Sequence, residues 1–394
     1  MEILRARILL RAEFDSNTIQ KRSDLVKKGE QSMWLIILAA VVLAAIAGLV
    51  YMVFSVGKFG GIRALAGERK WLRHLISFLA IAAVFGVVTV TMSAVNGVVV
   101  FLHEVLFFLL FGGVMKIVTR ISGKEYAVNW QGWLALASSV IYLAIGWYLL
   151  HNVRQTDYSI KTDKPVSLKI AMFADSHLGT SFDGEGFAQH IKTIEAQRPD
   201  IVLLPGDFVD DWSNKKDMLR ACEAMGKMDV RYGVWYSYGN HDEGFFNSRD
   251  FTAAELEQAL RDNGIHILAD EYELVDDSFY VVGRKDYSLG ERKSMEELLE
   301  GVDTDKYIIV LDHEPNDYES ESASAADLVV SGHTHGGQLI PITYVGEWFG
   351  INDRTYGYER RNGTDFIVTS GISDWDIQFK TGTKSEYVMI DAAN

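Results

Sequence analysis

Cysteine is almost missing from this sequence. Cys222 is the only one in 394 residues, so an internal disulfide and any cysteine-built zinc module are excluded. Proline is scarce and one-sided: Pro165, Pro199, Pro205, Pro315 and Pro341 all lie beyond residue 150. Charge is absent from residues 33–57, "MWLIILAAVVLAAIAGLVYMVFSVG", a run longer than the ~20 residues a helix needs to cross a bilayer. Positive charge is short in the second part. Beyond residue 150, 23 Lys and Arg face 45 Asp and Glu, a net of −22, whereas the first 150 residues carry 15 against 8, a net of +7. Nucleic-acid backbones are bound by Lys/Arg patches, so no nucleic-acid partner is expected for so acidic a region. Carboxylates that hold cations suit it better.

The apolar front predicts a membrane domain over residues 33–150. Four spans are expected, at 33–57, 75–92, 97–115 and 130–150, with the second and third joined by a short uncharged link. Residues 1–32, with "RARILLR" and "KRSDLVKK", read as a polar or amphipathic segment at the membrane surface. Four spans would leave the N-terminus and the acidic domain on one side of the cell membrane. Seven flanking positive residues on that side against eight on the other leave the side itself open. His103 and Glu104 fall within the third span. Ionisable groups there are functional candidates by default, but no second mid-membrane charge accompanies them, which weakens a transporter reading.

Residues 151–166 read as a linker. From 167 to 394 the pattern alternates strands and helices, which predicts an α/β domain. Apolar runs such as "KIAMFA", "IVLLP", "VWYSY", "YIIVL" and "DLVV" are buried strands by composition. The residues just after each run are informative, because ligands of α/β domains gather at the carboxyl ends of strands. The five runs lead into "DSH" (Asp175, His177), "GDFVDD" (Asp207, Asp210, Asp211), "GNHDE" (Asn240, His241, Asp242, Glu243), "DH" (Asp312, His313) and "SGHTHGG" (His333, His335). Asp175 and His177, like His333 and His335, are two apart, a spacing that in an extended segment aims both side chains at one face. Carboxylate, imidazole and amide together suit divalent manganese, iron or zinc. Asp175, His177, Asp207, Asn240, His313, His333 and His335 are more ligands than one ion takes. A carboxylate can bridge two ions and so activate water against phosphorus.

The series "DSH", "GDFVDD", "GNHDE", "DH" and "GHTH", in this order, resembles the calcineurin-like metallophosphoesterases, and "SGHTHGGQ" is similar to a membrane-anchored branch of them. The resemblance implies a four-layer α/β/β/α sandwich behind the all-α membrane bundle, and a centre of two divalent ions, manganese foremost. It implies that Asp175, His177 and His335 bind one ion, that Asn240, His313 and His333 bind the other, and that Asp207 bridges them. His241 would act on the substrate as general acid, with Asp242 or Glu243 orienting it as an acceptor behind the imidazole. The family's closing region leads one to expect an arginine where Lys380 stands. The expected activity is hydrolysis of a phosphate mono- or diester or pyrophosphate. A lipid-linked substrate and a nucleotide are both compatible with it. The competing reading is a catalytically silent metal-binding sensor coupled to the membrane helices. It predicts the loss of a ligand or of His241, and neither is lost.

Overall fold

A computed structural model describes residues 39–394 apart from 41, 125, 246 and 247. The expected surface segment 1–32 and the start of the first expected span lie outside the described residues. The chain forms two compact units. One comprises the residues up to Thr91 with Gly97–Ser139; the other comprises Met92–Asn96 with Val140–Asn394.

The first unit is helical. Helix α1 (Val42–Val56) and helix α2 (Gly60–Ala66) are bent by 81° at a short break. Then come α3 (Lys70–Thr91), α4 (Ala94–Ser122) and α5 (Trp130–His151), the last two shared between the units. These three are long and apolar enough to cross a membrane, with mean hydropathies of 2.1, 2.3 and 1.7. Only 6%, 17% and 28% of their apolar windows are buried. Water would not support so much exposed apolar helix surface, and a bilayer would. The bent α1–α2 pair makes a fourth span only if it is counted as one. Within α4 the His103 Nδ1–H is hydrogen-bonded to the Val99 carbonyl at 2.7 Å, a local use of that imidazole.

The second unit is an α/β sandwich. Its first sheet contains β1 (Arg154–Lys161), β2 (Ser167–Met172), β3 (Ile201–Pro205), β4 (Val234–Ser237), β5 (His266–Ile267) and β12 (Glu386–Ala393), in the order β1-β12-β2-β3-β4-β5. The second contains β6 (Glu271–Val275), β7 (Phe279–Gly283), β8 (Tyr307–Leu311), β9 (Leu328–Ser331), β10 (Gly357–Arg361) and β11 (Thr364–Val368), in the order β10-β11-β9-β8-β7-β6. β2 to β5 run parallel, as do β7, β8, β9 and β11. Strands buried on both faces read as continuous apolar runs, which is why "IVLLP", "FYVVG" and "YIIVL" are legible.

Alternate side chains divide between two cores. Ile170, Met172, Ile201, Leu203 and Trp235 face Val281, Ile309, Leu311 and Val330 between the sheets. Ala171, Val202, Leu204 and Tyr236 pack outward on α6 (Gly184–Glu195), α7 (Lys215–Gly226) and α8 (Ala253–Asp262). The helix caps agree with the sequence: Asp183, Asn214 and Thr252 each accept a first-turn amide. On the far side, Val282, Ile308, Val310 and Phe366 meet Met295, Leu298 and Tyr318. The result is four layers, α/β/β/α.

One expectation is corrected. The segment 151–166 is no linker, because Arg154–Lys161 is an eight-residue edge strand paired in parallel with β12. Its sequence, RQTDYSIK, is polar because an edge strand is largely exposed. No apolar run announces it.

Candidate metal centre

The parallel strands end together, and the loops leaving β2, β3, β4, β8 and β9 bring the predicted side chains to one place. Two groups have ligand atoms all within 4.8 Å of one another: Asp175, His177 and His335, and Asp207, His313 and His333. Asn240 belongs with the second group, its Oδ1 lying 3.1 Å from His313 Nε2 and 3.1 Å from His333 Nδ1. Asp207 lies between the groups. Its Oδ2 is 3.2 Å from His313 Nε2 and 3.5 Å from His177 Nε2.

The backbone here is strained in a consistent way. Asp175, His177, Asp207, His333 and His335 all have positive φ, from 34° to 68°. Few non-glycine residues adopt this region, and those that do cluster where function over-determines the fold. The extended geometry expected from the two-residue spacing is therefore wrong. His333 and His335 do not aim at one spot: the left-handed turns send them to different groups. Glycine makes room between the loops, for a Cβ on Gly332 would lie 2.5 Å from Asp175 Oδ2.

The two groups are held differently. Around Asp207 the backbone does the work. The Asp242 carboxylate accepts the amides of Asp207, Phe208, Val209 and Gly239 at 2.8–3.1 Å. Asp207 Oδ1 accepts the His241 amide at 2.9 Å. His313 Nδ1–H donates to the Pro205 carbonyl at 2.9 Å, turning Nε2 to the centre. Around Asp175 the backbone gives one amide, that of His333 to Asp175 Oδ1 at 2.8 Å, and the two histidines are supported by carboxylates. Asp210 Oδ2 stands 3.5 Å from His177 Nδ1, and Asp374 Oδ1 3.3 Å from His335 Nδ1.

The expected role of Asp242 and Glu243 is corrected as well. Asp242 does not orient His241; four backbone amides saturate its oxygens, and Glu243 is exposed. The His241 Nδ1 is buried without a hydrogen-bond partner among the described residues. Its ring lies against His177, Phe245 and Trp375, with centroids 5.0, 5.0 and 5.5 Å away.

Asp374 is not among the residues the sequence singles out. It sits in "SGISDW", beyond any apolar run of the usual length. The fully buried Lys380 pairs with it at 3.9 Å and donates to the Ser370 and Ser373 carbonyls at 2.5 and 2.8 Å. One ammonium with three rotatable donors serves all three acceptors.

The electrostatics fit cations. Asp175 Oδ2 and His177 Nε2 are buried without hydrogen-bond partners among the described residues, and buried polar atoms seldom stay unpaired. Burial pushes Asp175 up to about 6, against the pull of His313 and His177. Asp207, though also buried, is held well below the usual carboxylate range by His313 and His177. Burial opposes a charge on His177, yet Asp210, Asp207 and Asp175 outweigh it and hold the imidazolium up at about 9. Burial, with His313 nearby, keeps His333 neutral, down at about 3. Burial, with His177 and Lys380, keeps His335 well below its ordinary value. In effect protons on two imidazoles offset the carboxylates, a task divalent cations perform with more charge.

Comparison with known proteins agrees. A profile of the family described as calcineurin-like phosphoesterase matches residues 168–337. An uncharacterized metallophosphoesterase of Aquifex aeolicus is 31% identical over 210 residues, covering 52% of this chain and 76% of that one. The chain belongs to the calcineurin-like phosphoesterase family. This phosphoesterase is also similar to a "transmembrane protein with metallophosphoesterase domain" of Danio rerio, 27% identical over 316 residues, 72% of this chain and 70% of the other. An uncharacterized metallophosphoesterase of Campylobacter jejuni is 27% identical over 269 residues, 66% and 68% of the two chains.

Proposed function

We propose that the protein is a multi-pass membrane hydrolase of phosphate mono- or diesters or pyrophosphates that works with two divalent cations, manganese foremost. Asp175, His177 and His335 would hold one, Asn240, His313 and His333 the other, and Asp207 would reach both. One observation carries this reading: two buried groups of metal-binding atoms, with a single carboxylate between them. When bound, such a pair would supply Lewis acidity toward phosphoryl oxygens and lower the pKa of water.

The chain's own residues would do the rest. The Asp242-caged loop fixes Asp207, so the ligand geometry is set before substrate arrives. His241 stands at the edge of both groups and is assigned to the leaving oxygen. Burial holds its imidazole down at about 4, so it is neutral at rest. A phosphoryl dianion beside it would raise its proton affinity and let it deliver a proton as the ester bond breaks. The silent-sensor alternative draws no support from the geometry, because no ligand position is replaced or turned away.

The test is hydrolysis by the full chain in detergent with Mn²⁺, on aryl phosphate monoesters and diesters. Turnover that is lost on chelation and restored by Mn²⁺ is the expected result. Equal rates for wild type, Asp207→Ala and His241→Ala would refute the assignment.

A further inference from the structure

Directly after the two histidines, residues 339–351 read "LIPITYVGEWFGI". Such a run would ordinarily be core, yet here only Leu339 and Thr343 are buried and its large side chains from Ile340 on mostly face outward. Trp348 is 72% and Phe349 78% exposed, and Ile340, Ile342, Tyr344 and Ile351 are exposed as well. The backbone beneath them is anchored. Thr381 N–H and Gly382 N–H donate to the Gln338 carbonyl at 2.8 and 2.9 Å, Asp353 N–H donates to the Pro315 carbonyl at 2.8 Å, and the Glu347 carboxylate accepts the Thr355 amide at 2.5 Å. This is a held apolar platform. Contiguous exposed apolar side chains of this size mark an interaction surface.

The neighbouring element says which surface. Tyr142 of α5 donates to Thr381 Oγ1 at 2.8 Å, and its hydroxyl lies 3.5 Å from the Ile340 carbonyl. The Lys380 amide donates to the Gly146 carbonyl of the same helix at 3.0 Å. This half of α5 exposes Val140, Ile141, Ile145, Trp147 and Tyr148. Trp and Tyr gather at the bilayer–water boundary. Tyr142 lies five residues, about 8 Å along the helix axis, nearer the helix middle than Trp147. The start of the platform is therefore level with lipid-facing helix rather than with water. Two of its aromatic residues, Tyr344 and Trp348, are of the interfacial kind.

We infer that residues 339–351 sit in the surface of the same bilayer that α5 crosses, and that the substrates are membrane lipids whose phosphate esters lie at that surface. The second half of this inference rests on the phosphoesterase reading; the first does not. His333 and His335 are within a few residues of the platform. Phe245 and Trp375, both exposed, give the ground beside His241 an apolar wall suited to a lipid's glycerol and acyl region.

Depth is measured first. A nitroxide on Phe349→Cys is compared with one on Asp277→Cys, in the full chain reconstituted into phosphatidylcholine bilayers. Residue 277 precedes β7, at the end of the sheet away from the site, and its side chain is exposed. The native Cys222 is buried, with its thiol pushed up to about 12, and does not compete for label. The label at 349 is expected to collide with oxygen and to be shielded from a water-soluble nickel chelate, the reverse of position 277. Equal chelate access at both positions would overturn the inference. So would shielding from both reagents that is lost on dilution, the mark of a second copy.

Turnover is measured next. The Trp348→Ser/Phe349→Ser double variant is expected to lose at least tenfold on phosphatidic acid or phosphatidylglycerol in phosphatidylcholine bilayers, and to keep its rate on a soluble aryl phosphate. An equal fall on both, or no fall on lipid, would overturn the lipid assignment. Wild-type turnover of aryl phosphate with none of either lipid would do the same. A wild type without turnover on any of them would sink the phosphoesterase reading instead, and the label would still report depth.

Discussion

The two halves of the candidate centre contain similar ligands in different settings. Asp207, His313 and Asn240 are held chiefly through main-chain groups: the amides of residues 207–209 and 239 on Asp242, and the Pro205 carbonyl on His313. His177 and His335 depend on single carboxylates, Asp210 and Asp374, and Asp175 accepts one backbone amide, that of His333, with its Oδ2 left without a partner among the described residues. The first half is built into the sheet ends. The second is closed by a loop far along the chain. One half should then be rigid and all-or-none, the other adjustable.

The largest effect is expected at Asp242. Asp242→Ala strips the acceptor from four backbone amides, and each buried amide left unpaired costs about 1–3 kcal/mol. Several kcal/mol is much of a domain's stability. A loss of folded protein, or a large drop in Tm, is expected from calorimetry; an unchanged Tm would mean the cage does not hold the loop. Next comes Asp207→Ala. It removes the carboxylate shared by both halves, so turnover and cation retention should both vanish while the fold survives. Metal analysis that still finds two ions would break the bridging assignment. His241→Ala should leave both ions in place and slow turnover by ~10²–10⁴-fold, the scale of a lost general acid. A rate within a few-fold of wild type would remove His241 from the chemistry.

Whether a residue of this centre is legible in the sequence depends on where it sits. Asp175, Asp207, Asn240, His313 and His333 stand just after strands whose apolar runs are unmistakable, so the strand-end rule reaches them. Asp242 is in view but its role is not, since a sequence does not show which way a carboxylate turns when four amides compete for it. Asp374 escapes notice because its loop lies several residues past β11 and carries no apolar signal of its own, and Lys380 is in view without a role. β1 escapes because an edge strand needs little apolar residue. The positive φ values of the ligand loops have no signature either. Asp and His enter this region more often than most non-glycine residues, but most of them stay out of it, so their presence alone does not mark it.

The comparison is sharpened most finely at Asp374. Asp374→Asn keeps the size of the side chain and its contact distance to His335 Nδ1, but removes the charge that steadies the imidazole. Outer partners of metal-bound histidines are typically worth about 10–100-fold in affinity. The substitution should weaken one cation by that factor and leave the other near its wild-type affinity, so that a Mn²⁺ titration followed by calorimetry changes from closely spaced to clearly separate binding steps. Lys380 complicates the effect in a readable way. It loses its ionic partner at 3.9 Å but keeps the Ser370 and Ser373 carbonyls, so it should stay in place, and a large loss of stability is not expected. If both steps weaken together, the halves are coupled through Asp207 more tightly than their separate supports imply. If neither weakens, Asp374 serves the loop alone, and the adjustable half must be sought at Asp210.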